Sequence, residues 1–315
     1  MNLRLHSAIS RREAMRAGLI ACLSAGFDRV SLGSEQTSEL PLITKTIPST
    51  GERIPAVGLG TDAFQTSERD AIQAEIKRMN ELGGAVIDTA AAYGDSEALI
   101  GDALAALGIR DRMFLATKLT AGGAFGGGGS GEQSFRRSLE RLQAQRIDLL
   151  QVHNLSGVDS LMPMLRAWKK AGKIRYIGVT TSRVAQHGEI VEAMHKYPLD
   201  FIQVDYSIAN RDAATTVFPT AFERRVAVLV NLPLARAALI GQAGQRRLPD
   251  WAATMDVSSW AQFFMKYVIS HPTVTCAIPG STKLEHLVDN QTAARGRLPD
   301  MAMRTKMEEF WDAKT

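Results

Sequence analysis

The sequence predicts an α/β protein, a (β/α)8 TIM barrel with an N-terminal β-hairpin, over residues 42–315. Short apolar runs alternate with segments whose apolar residues recur at helical spacing, and eight such alternations fit into roughly 270 residues. Polar side chains with catalytic potential stand directly after several of the runs, which is where parallel barrels collect their reactive groups. These two observations favour a closed barrel over an open doubly wound sheet.

The β-strands are predicted from apolar runs that polar or glycine-containing segments bound on both sides. The hairpin is expected over residues 44–56, where residues 49–52 (Ser-Thr-Gly-Glu) provide a turn. The barrel strands are expected near residues 57–60, 84–88, 113–117, 148–152, 174–178, 201–204, 226–230 and 275–278.

The helices are predicted from apolar residues that recur every three or four positions. Within residues 133–145, for example, Phe135, Leu139 and Leu142 share one face, while Arg136 and Glu140 lie on the other. Helices are expected over residues 67–82, 133–145, 161–171, 183–196, 213–224, 258–270 and 283–293.

Composition excludes several classes of protein. The formal net charge of +4 over 315 residues is small and lies partly in the first thirty residues, which argues against a nucleic-acid partner. Two cysteines, Cys22 and Cys276, leave neither a disulfide framework nor a Cys-x-x-Cys metal pair. No apolar run reaches the ~18 residues of a transmembrane helix. A single large globular domain with a full core remains.

The N-terminus has the pattern of an export signal. Arg11 and Arg12 precede an uncharged, weakly apolar stretch at residues 17–27, which is typical of a twin-arginine leader. We therefore predict a signal over residues 1–27, a polar linker over residues 28–41 and a periplasmic location. Residues 19–22 (Leu-Ile-Ala-Cys) also resemble a lipobox. A frayed basic helix on a cytoplasmic protein is the other alternative.

Four residues at or near strand ends form a set suited to proton transfer: Asp88, Tyr93, Lys118 and His153. A tyrosine has an ordinary pKa near ~10, and a neighbouring ammonium group is expected to lower that pKa because it favours the phenolate. A carboxylate holds the lysine in place, and an imidazole can hydrogen-bond a substrate oxygen. The sequence therefore predicts that Tyr93 is a general acid for a carbonyl oxygen, with no metal required.

Each of these four residues, taken singly, has a structural explanation, such as a helix-capping carboxylate or a hydrogen-bonded core histidine. Their joint spacing is what favours chemistry. Four other histidines lack such neighbours and are expected at the surface: His6, His187, His195 and His271.

Two segments are candidates for phosphate binding. Residues 122–131 are rich in glycine but lack the Gly-Lys-Ser/Thr that a phosphate cradle needs, so they are interpreted as a flexible segment over the barrel mouth. Residues 278–283 follow the last strand and lead into a helix, whose free N–H groups and dipole favour anions. A plain loop with a helix cap is the alternative for this second segment.

The motifs around the four residues resemble those of the aldo-keto reductases. The resemblance runs from about Leu42 to Trp311 and implies a TIM barrel, NADP(H) as cofactor, and reduction of small aldehydes or ketones. The motifs are residues 88–94 (Asp-Thr-Ala-Ala-Ala-Tyr-Gly), 116–118 (Ala-Thr-Lys), 146–153 (Arg-Ile-Asp-Leu-Leu-Gln-Val-His), 57–61 (Val-Gly-Leu-Gly-Thr) and 278–290 (Ile-Pro-Gly-Ser-Thr-Lys-Leu-Glu-His-Leu-Val-Asp-Asn).

The resemblance also implies a cofactor site. It assigns the phosphates of the dinucleotide to the segment from Gly280 to Lys283, the carboxamide to Gln203, and the adenine to Asn290. Lys283 and His286 near the 2′-phosphate favour NADPH over NADH. The implied cofactor residues are Gly60, Thr61, Asp88, Thr180, Thr181, Gln203, Asn231, Leu232, Leu234, Gly280, Ser281, Thr282, Lys283, His286 and Asn290.

One departure from the family pattern leaves a second function open. Asn231 stands where most relatives carry an aromatic residue that stacks on the nicotinamide, and Trp251, Trp260 and Phe64 are the candidates to replace it. This loss, with the export-like leader, favours a nicotinamide-binding regulatory or sensor module with little turnover. The complete set of four polar residues favours the reductase.

Overall fold

The computed structural model describes residues 40–121 and 130–313. The predicted signal, nearly all of the predicted linker, and most of the glycine-rich segment after the third barrel strand lie outside the described residues.

The strands form a small hairpin and a large parallel sheet. In the hairpin, β1 (Thr44–Thr46) pairs antiparallel with β2 (Arg53–Pro55), as predicted. The other eight strands pair in parallel, each with its neighbour in sequence. They are β3 (Leu59–Gly60), β4 (Val86–Asp88), β5 (Phe114–Leu119), β6 (Ile147–Val152), β7 (Ile174–Thr180), β8 (Phe201–Asp205), β9 (Ala227–Asn231) and β10 (Val274–Ala277).

The first and last strands of this sheet meet and curl it into a barrel. Parallel bridges join Val57 to Ala277 and Gly60 to Gly280. The approach is so close that a Cβ atom on Gly60 would lie 2.9 Å from the carbonyl oxygen of Ile278, which explains the glycine there. The predicted (β/α)8 fold class is confirmed.

Helices lie between the strands and follow the last one, and some differ from prediction. The predicted helix over residues 213–224 is divided at Val217, because Pro219 cannot donate a backbone hydrogen bond and instead begins a new helix. Three further helices, Ser96–Leu107, Ala238–Ala243 and Met301–Asp312, were not predicted from the sequence. The helices are α1 (Arg69–Glu81), α2 (Ser96–Leu107), α3 (Gly131–Arg141), α4 (Val158–Lys170), α5 (His187–Lys196), α6 (Asp212–Thr216), α7 (Phe218–Glu223), α8 (Ala238–Ala243), α9 (Trp260–Ser270), α10 (Leu284–Thr292) and α11 (Met301–Asp312).

Strand alternation determines which side chains reach the barrel interior. The N-terminal part of the interior is apolar and includes Val86, Phe114 and Leu149, and the hairpin residues Ile47 and Ile54 belong to the same cluster. Closer to the C-terminal ends of the strands, the side chains that face the interior are polar. They form a ring at the C-terminal end of the barrel: Asp88, Lys118, His153, Thr180, Gln203 and Asn231.

Candidate active site

A buried ion pair forms the base of the polar ring. The ammonium nitrogen of Lys118 lies 2.5 Å from Asp88 Oδ2 and 2.9 Å from the carbonyl oxygen of Thr89. The Lys118 and Asp88 side chains are only 2% and 4% exposed. Burying either charge alone would cost several kcal/mol, so each is tolerated because the other is present. Neighbouring strands β4 and β5 hold the pair in register.

Tyr93 and His153 lie above this pair and are partly exposed. The Tyr93 hydroxyl is 3.4 Å from the Lys118 nitrogen, which lies 4.9 Å from the centre of the phenol ring. The His153 ring meets Tyr93 edge-on, with ring centres 5.7 Å apart. The four residues singled out by spacing are thus brought together, with the proton-bearing groups outward and the ion pair behind them.

The pKa of Tyr93 differs from the sequence expectation. Burial raises the pKa of Tyr93 above its ordinary value, and Lys118 opposes the rise without reversing it. The expected net lowering is wrong, because burial outweighs the ammonium and the nearby Asp88 carboxylate adds to the rise. Tyr93 therefore keeps its proton at neutral pH, as a general acid must before it reacts.

Burial acts on the pKa of both members of the ion pair, but its balance with the neighbouring charges differs between Lys118 and Asp88. Burial disfavours the ammonium of Lys118, but Asp88 and Tyr93 more than compensate, so the pKa of Lys118 lies above its usual value. Burial raises the pKa of Asp88, and Lys118 opposes that rise. Lys118 thus remains a cation next to the phenol.

His153 is neutral at physiological pH. Burial, together with the charge of Lys118, lowers the pKa of His153 to about 4. A neutral imidazole carries one N–H group, which can donate to an oxygen placed between His153 and Tyr93.

Two buried amides in the ring have side-chain atoms that lack a hydrogen-bond partner within the described part of the chain. Gln203 is 1% exposed, and neither its Nε2 nor its Oε1 has a partner at normal hydrogen-bond geometry, although its amide acts on Asp88 and helps to hold down the pKa of that carboxyl. Asn231 donates from Nδ2 to the carbonyl oxygen of Thr181 at 2.9 Å, while its buried Oδ1 has no partner. An unmet buried polar group costs about 1–3 kcal/mol. A donor and two acceptors in this position fit a carboxamide such as that of nicotinamide.

Three of the threonines assigned to the cofactor, Thr61, Thr180 and Thr181, are buried, and two of these already make hydrogen bonds within the protein. The Thr181 hydroxyl donates to Gln186 Oε1 at 2.7 Å, and the Thr61 hydroxyl donates to the carbonyl oxygen of Asp88 at 3.1 Å. Thr180 ends β7 and is 2% exposed. Thr61 and Thr181 therefore stabilise the ring through contacts of their own.

The predicted phosphate segment, Gly280–Lys283, connects β10 to α10. The Ser281 hydroxyl accepts a hydrogen bond from the backbone nitrogen of Lys283 at 3.2 Å and is 8% exposed. Lys283 and His286 are exposed about one helical turn apart, and Asn290 is buried on α10. The segment thus presents a helix start with two basic groups beside it.

The loop after β9 has a strained backbone that the sequence did not predict. Leu232 and the three residues from Ala235 to Ala237 have φ between 47° and 67°, and none is glycine. Each costs about 1–2 kcal/mol. Leu234 packs partly against the core, and Arg236 reaches Asp62 across the mouth at 3.2 Å. Strain of this kind is concentrated at ligand-binding sites.

Trp251 and Trp260, two of the candidates to replace the missing aromatic residue, pack elsewhere. Trp260 stacks on Phe264 with ring centres 5.5 Å apart, and Trp251 meets Phe310 edge-on at 5.6 Å. Both rings are thereby fixed in an aromatic cluster with α9 and α11. Phe64 is buried in the hydrophobic core.

His187 is not a surface residue, so that expectation is wrong. It is 2% exposed, with Nδ1 2.5 Å from Asp212 Oδ2 and Nε2 3.0 Å from Asp205 Oδ1. Burial disfavours its charge, but the two carboxylates more than compensate and raise the pKa of His187. The sequence carried no signal for this, because both partners lie eighteen or more residues away.

Residues 40–121 and 130–313 contain neither a metal-binding cluster nor a membrane-spanning helix. No group of three or more histidine, cysteine, aspartate or glutamate side chains there is arranged to hold a metal ion. No helix in these ranges is long and apolar enough to cross a membrane.

Comparison with known proteins places the site in a family. The model of the aldo/keto reductase family matches residues 56–311. The methylglyoxal reductase YeaE of Escherichia coli is 30% identical over 246 residues, which cover 75% of this chain and 84% of that protein. The aldo-keto reductase YhdN of Bacillus subtilis is 31% identical over 220 residues, or 62% of this chain and 63% of that protein.

Solved structures agree with this assignment. An aldo/keto reductase from Klebsiella pneumoniae in complex with NADP and acetate has a TM-score of 0.72 and 26% identity, and the match covers 85% of this chain and 95% of that one. A structure of an aldo-keto reductase from the same organism, in complex with NADPH, has a TM-score of 0.72 and 25% identity over 86% and 96% of the two chains. Because the family model matches most of the sequence, this protein belongs to the aldo/keto reductase family.

Proposed function

We propose that the protein is an NADP(H)-dependent oxidoreductase that reduces aldehyde or ketone carbonyls to alcohols, with Tyr93 as the proton donor. The observation that carries the proposal is the buried Asp88–Lys118 ion pair beneath a protonated, partly exposed Tyr93. The complexes of the Klebsiella relatives with NADP and NADPH support the choice of cofactor. A relative named as a methylglyoxal reductase supports a carbonyl substrate.

Tyr93 and five residues of the ring have defined parts in the proposed reaction. The nicotinamide, when bound, supplies a hydride for the carbonyl carbon. Tyr93 gives its proton to the carbonyl oxygen, and the N–H group of neutral His153 orients that oxygen. Lys118 stabilises the phenolate that remains, and Asp88 holds Lys118. Gln203 and Asn231 offer the unmet donor and acceptors that fit the carboxamide.

Electrostatics favours proton transfer only once the carbonyl oxygen becomes basic. The raised pKa of Tyr93 keeps its proton in place before the reaction. After transfer, the phenolate lies about 3.4 Å from the Lys118 ammonium. At such a separation near a protein surface, opposite charges attract by on the order of 4 kcal/mol. The lysine therefore acts mainly on the charged product of the transfer, which is the differential stabilisation that catalysis needs.

Turnover measurements test this proposal. The purified protein is examined for bound nucleotide, and oxidation of NADPH and NADH is followed with a panel of aldehydes, ketones and quinones. We expect carbonyl-dependent oxidation with an alcohol as product, faster with NADPH because Lys283 and His286 lie beside the phosphate segment. Nucleotide binding without carbonyl-dependent oxidation would contradict the reductase and support the sensor module.

We also propose that the protein is exported through the twin-arginine route. Arg11 and Arg12 before an uncharged stretch support this, and the route accepts folded proteins with a bound cofactor. Expression in a bacterium with a working pathway should give protein outside the cytoplasm, shortened by roughly 25 residues. The matched control changes both arginines to lysine and should stay inside at full length. Wild-type protein that remains cytoplasmic and unprocessed would contradict export.

A further inference from the structure

Helix α1 carries a carboxylate where its pattern calls for an apolar residue. The buried positions of this helix are Ile72, Glu75, Ile76 and Met79, spaced as one inner face. Glu75 is 1% exposed. A carboxylate at such a position opposes folding, and departures of this kind concentrate at functional sites.

Glu75 contacts the phosphate segment through Ser281. Its Oε1 accepts a hydrogen bond from the Ser281 hydroxyl at 3.3 Å. Its Oε2 is buried without a partner, and within the described residues no cation pairs with the carboxylate. The charged groups that act on it are both acidic: Glu68, just before α1, and Glu285, on α10.

These surroundings shift the pKa of Glu75 into the physiological pH range. Burial raises the pKa of Glu75 to about 7, the Ser281 hydrogen bond opposes the rise, and the charges of Glu68 and Glu285 add to it. Near neutral pH the residue is therefore present as both the acid and the carboxylate, and a change in nearby charge shifts the balance between them.

A phosphate on the segment would supply such a change. The Ser281 hydroxyl lies 2.9 Å from the carbonyl oxygen of Lys283 and 3.3 Å from Glu75, so its single proton is shared between two acceptors. An anion held at the start of α10 would face ionised Glu75 with little more than this hydroxyl between them. Like charges at short range favour the neutral acid.

We propose, as an extension of the proposed function, that Glu75 takes up a proton from solvent when the cofactor phosphates bind at Gly280–Lys283, so that cofactor affinity depends on pH. Below the pKa of free Glu75 the acid is neutral in both states, and affinity does not depend on this group. Above it, binding requires proton uptake, and affinity falls as pH rises, by at most about tenfold per pH unit. Lys283 within the segment and His286 on α10 are the basic groups nearby, and a variant of His286 separates its contribution from that of Glu75.

Calorimetry of the full-length protein with NADP+ tests the inference directly. Titrations from about pH 6 to 9 in two buffers of different ionisation enthalpy give both the Kd and the number of protons taken up. We expect uptake of up to one proton in the wild type above about pH 7. Glu75→Gln should remove that uptake and tighten NADP+ binding by roughly tenfold at about pH 8.5.

Two matched variants identify the group responsible. Glu81→Gln removes an exposed carboxylate from the same helix and should keep the proton uptake of the wild type. His286→Asn removes a basic group beside the phosphate segment and should weaken NADP+ binding, but at saturating NADP+ it should keep the proton uptake. Uptake that persists in Glu75→Gln, or that disappears in His286→Asn, would overturn the inference.

The wild-type measurement needs no variant to fold. Tight NADP+ binding without proton uptake in the wild type would overturn the role of Glu75 and leave the proposed function standing. Absence of NADP+ binding at every pH would instead overturn the proposed function, and the inference with it.

Discussion

At the N-terminal end of the barrel, the buried carboxylate of Asp148 is fully paired. Its Oδ1 accepts from Arg175 at 2.9 Å, while its Oδ2 accepts from the backbone nitrogen of Leu115 at 2.9 Å and lies 3.5 Å from Arg110. At the C-terminal end, three of the four side-chain polar atoms of Gln203 and Asn231 lack a partner in the described structure.

The difference separates groups that stabilise the fold from groups that are prepared for a ligand. A buried polar group that the protein satisfies contributes to stability, and one that it leaves unmet costs free energy until something binds. The Asp88–Lys118 pair serves both purposes. Its two charges compensate each other within the fold, and Lys118 lies beside the accessible Tyr93 hydroxyl. The two ends should therefore respond oppositely to mutation.

Loss of Lys118 should have the largest effect. Lys118→Met removes the cation that stabilises the phenolate, so carbonyl reduction should fall by about 10²–10⁴-fold. It also leaves Asp88 buried without its partner, which costs up to about 3–5 kcal/mol of unfolding free energy. Turnover and urea unfolding measure the two losses.

The double variant Lys118→Met with Asp88→Asn serves as the control for that experiment. Removing both charges should restore most of the stability while activity stays low. Recovery of turnover in the double variant would show that the cation is not needed for chemistry.

A change at the opposite end should affect stability alone. Asp148→Asn weakens the hydrogen bonds to Arg175 and Leu115, so the free energy of unfolding should fall by about 1–3 kcal/mol. NADPH binding and turnover at a temperature where the variant is folded should match the wild type. A specific loss of turnover would show that the N-terminal end influences the site, and it would contradict the separate roles of the two ends.

Gln203→Leu should produce the reverse pattern. The substitution removes a buried amide whose hydrogen-bonding capacity is largely unmet and whose contribution to Asp88 is smaller than that of Lys118, so the unfolding free energy without cofactor should change little. Cofactor affinity should fall by roughly 5–100-fold, since two hydrogen bonds are lost. Binding is measured by titration and stability by urea unfolding. A clear loss of stability with unchanged affinity would mean that Gln203 supports the fold.

The last effect concerns the dependence of stability on pH. Burial and Lys118 lower the pKa of His153 to about 4, from an ordinary value near 6.5. Because the unfolded chain binds this proton more readily, the folded protein should lose stability as pH falls from about 6.5 to 4, by up to about 3 kcal/mol. His153→Gln should reduce this part of the acid sensitivity. An NMR titration that places the pKa of His153 near 6.5 would contradict the expected burial effect.

Strand ends could be predicted from the sequence because they depend on local pattern. An apolar run fixes the strand, and alternation then fixes which of its residues points inward, as with Val86 and Asp88 on β4. This local rule located the eight strands and the residues that meet at the mouth. Helix α2 was missed because it is apolar on most of its faces and its periodicity is weak.

The remaining features depend on neighbours that are distant in sequence. Ser281 lies 206 residues from Glu75, and its contact was not visible in either local pattern. The same holds for the two carboxylates around His187. The net pKa of Tyr93 depends on how burial compares with the charge of Lys118, and sequence supplies only the second of these. The left-handed residues Ala235 to Ala237 carry no glycine or asparagine to mark them.

The role of Tyr93 is tested most directly by Tyr93→Phe, measured for both NADPH binding and carbonyl reduction. Phenylalanine keeps the ring beside His153 and removes only the hydroxyl that lies 3.4 Å from Lys118. We predict that turnover falls by about 10²–10⁴-fold while NADPH affinity changes little, because the hydroxyl acts on the substrate oxygen. Turnover at the wild-type rate in this variant would contradict the proposed mechanism.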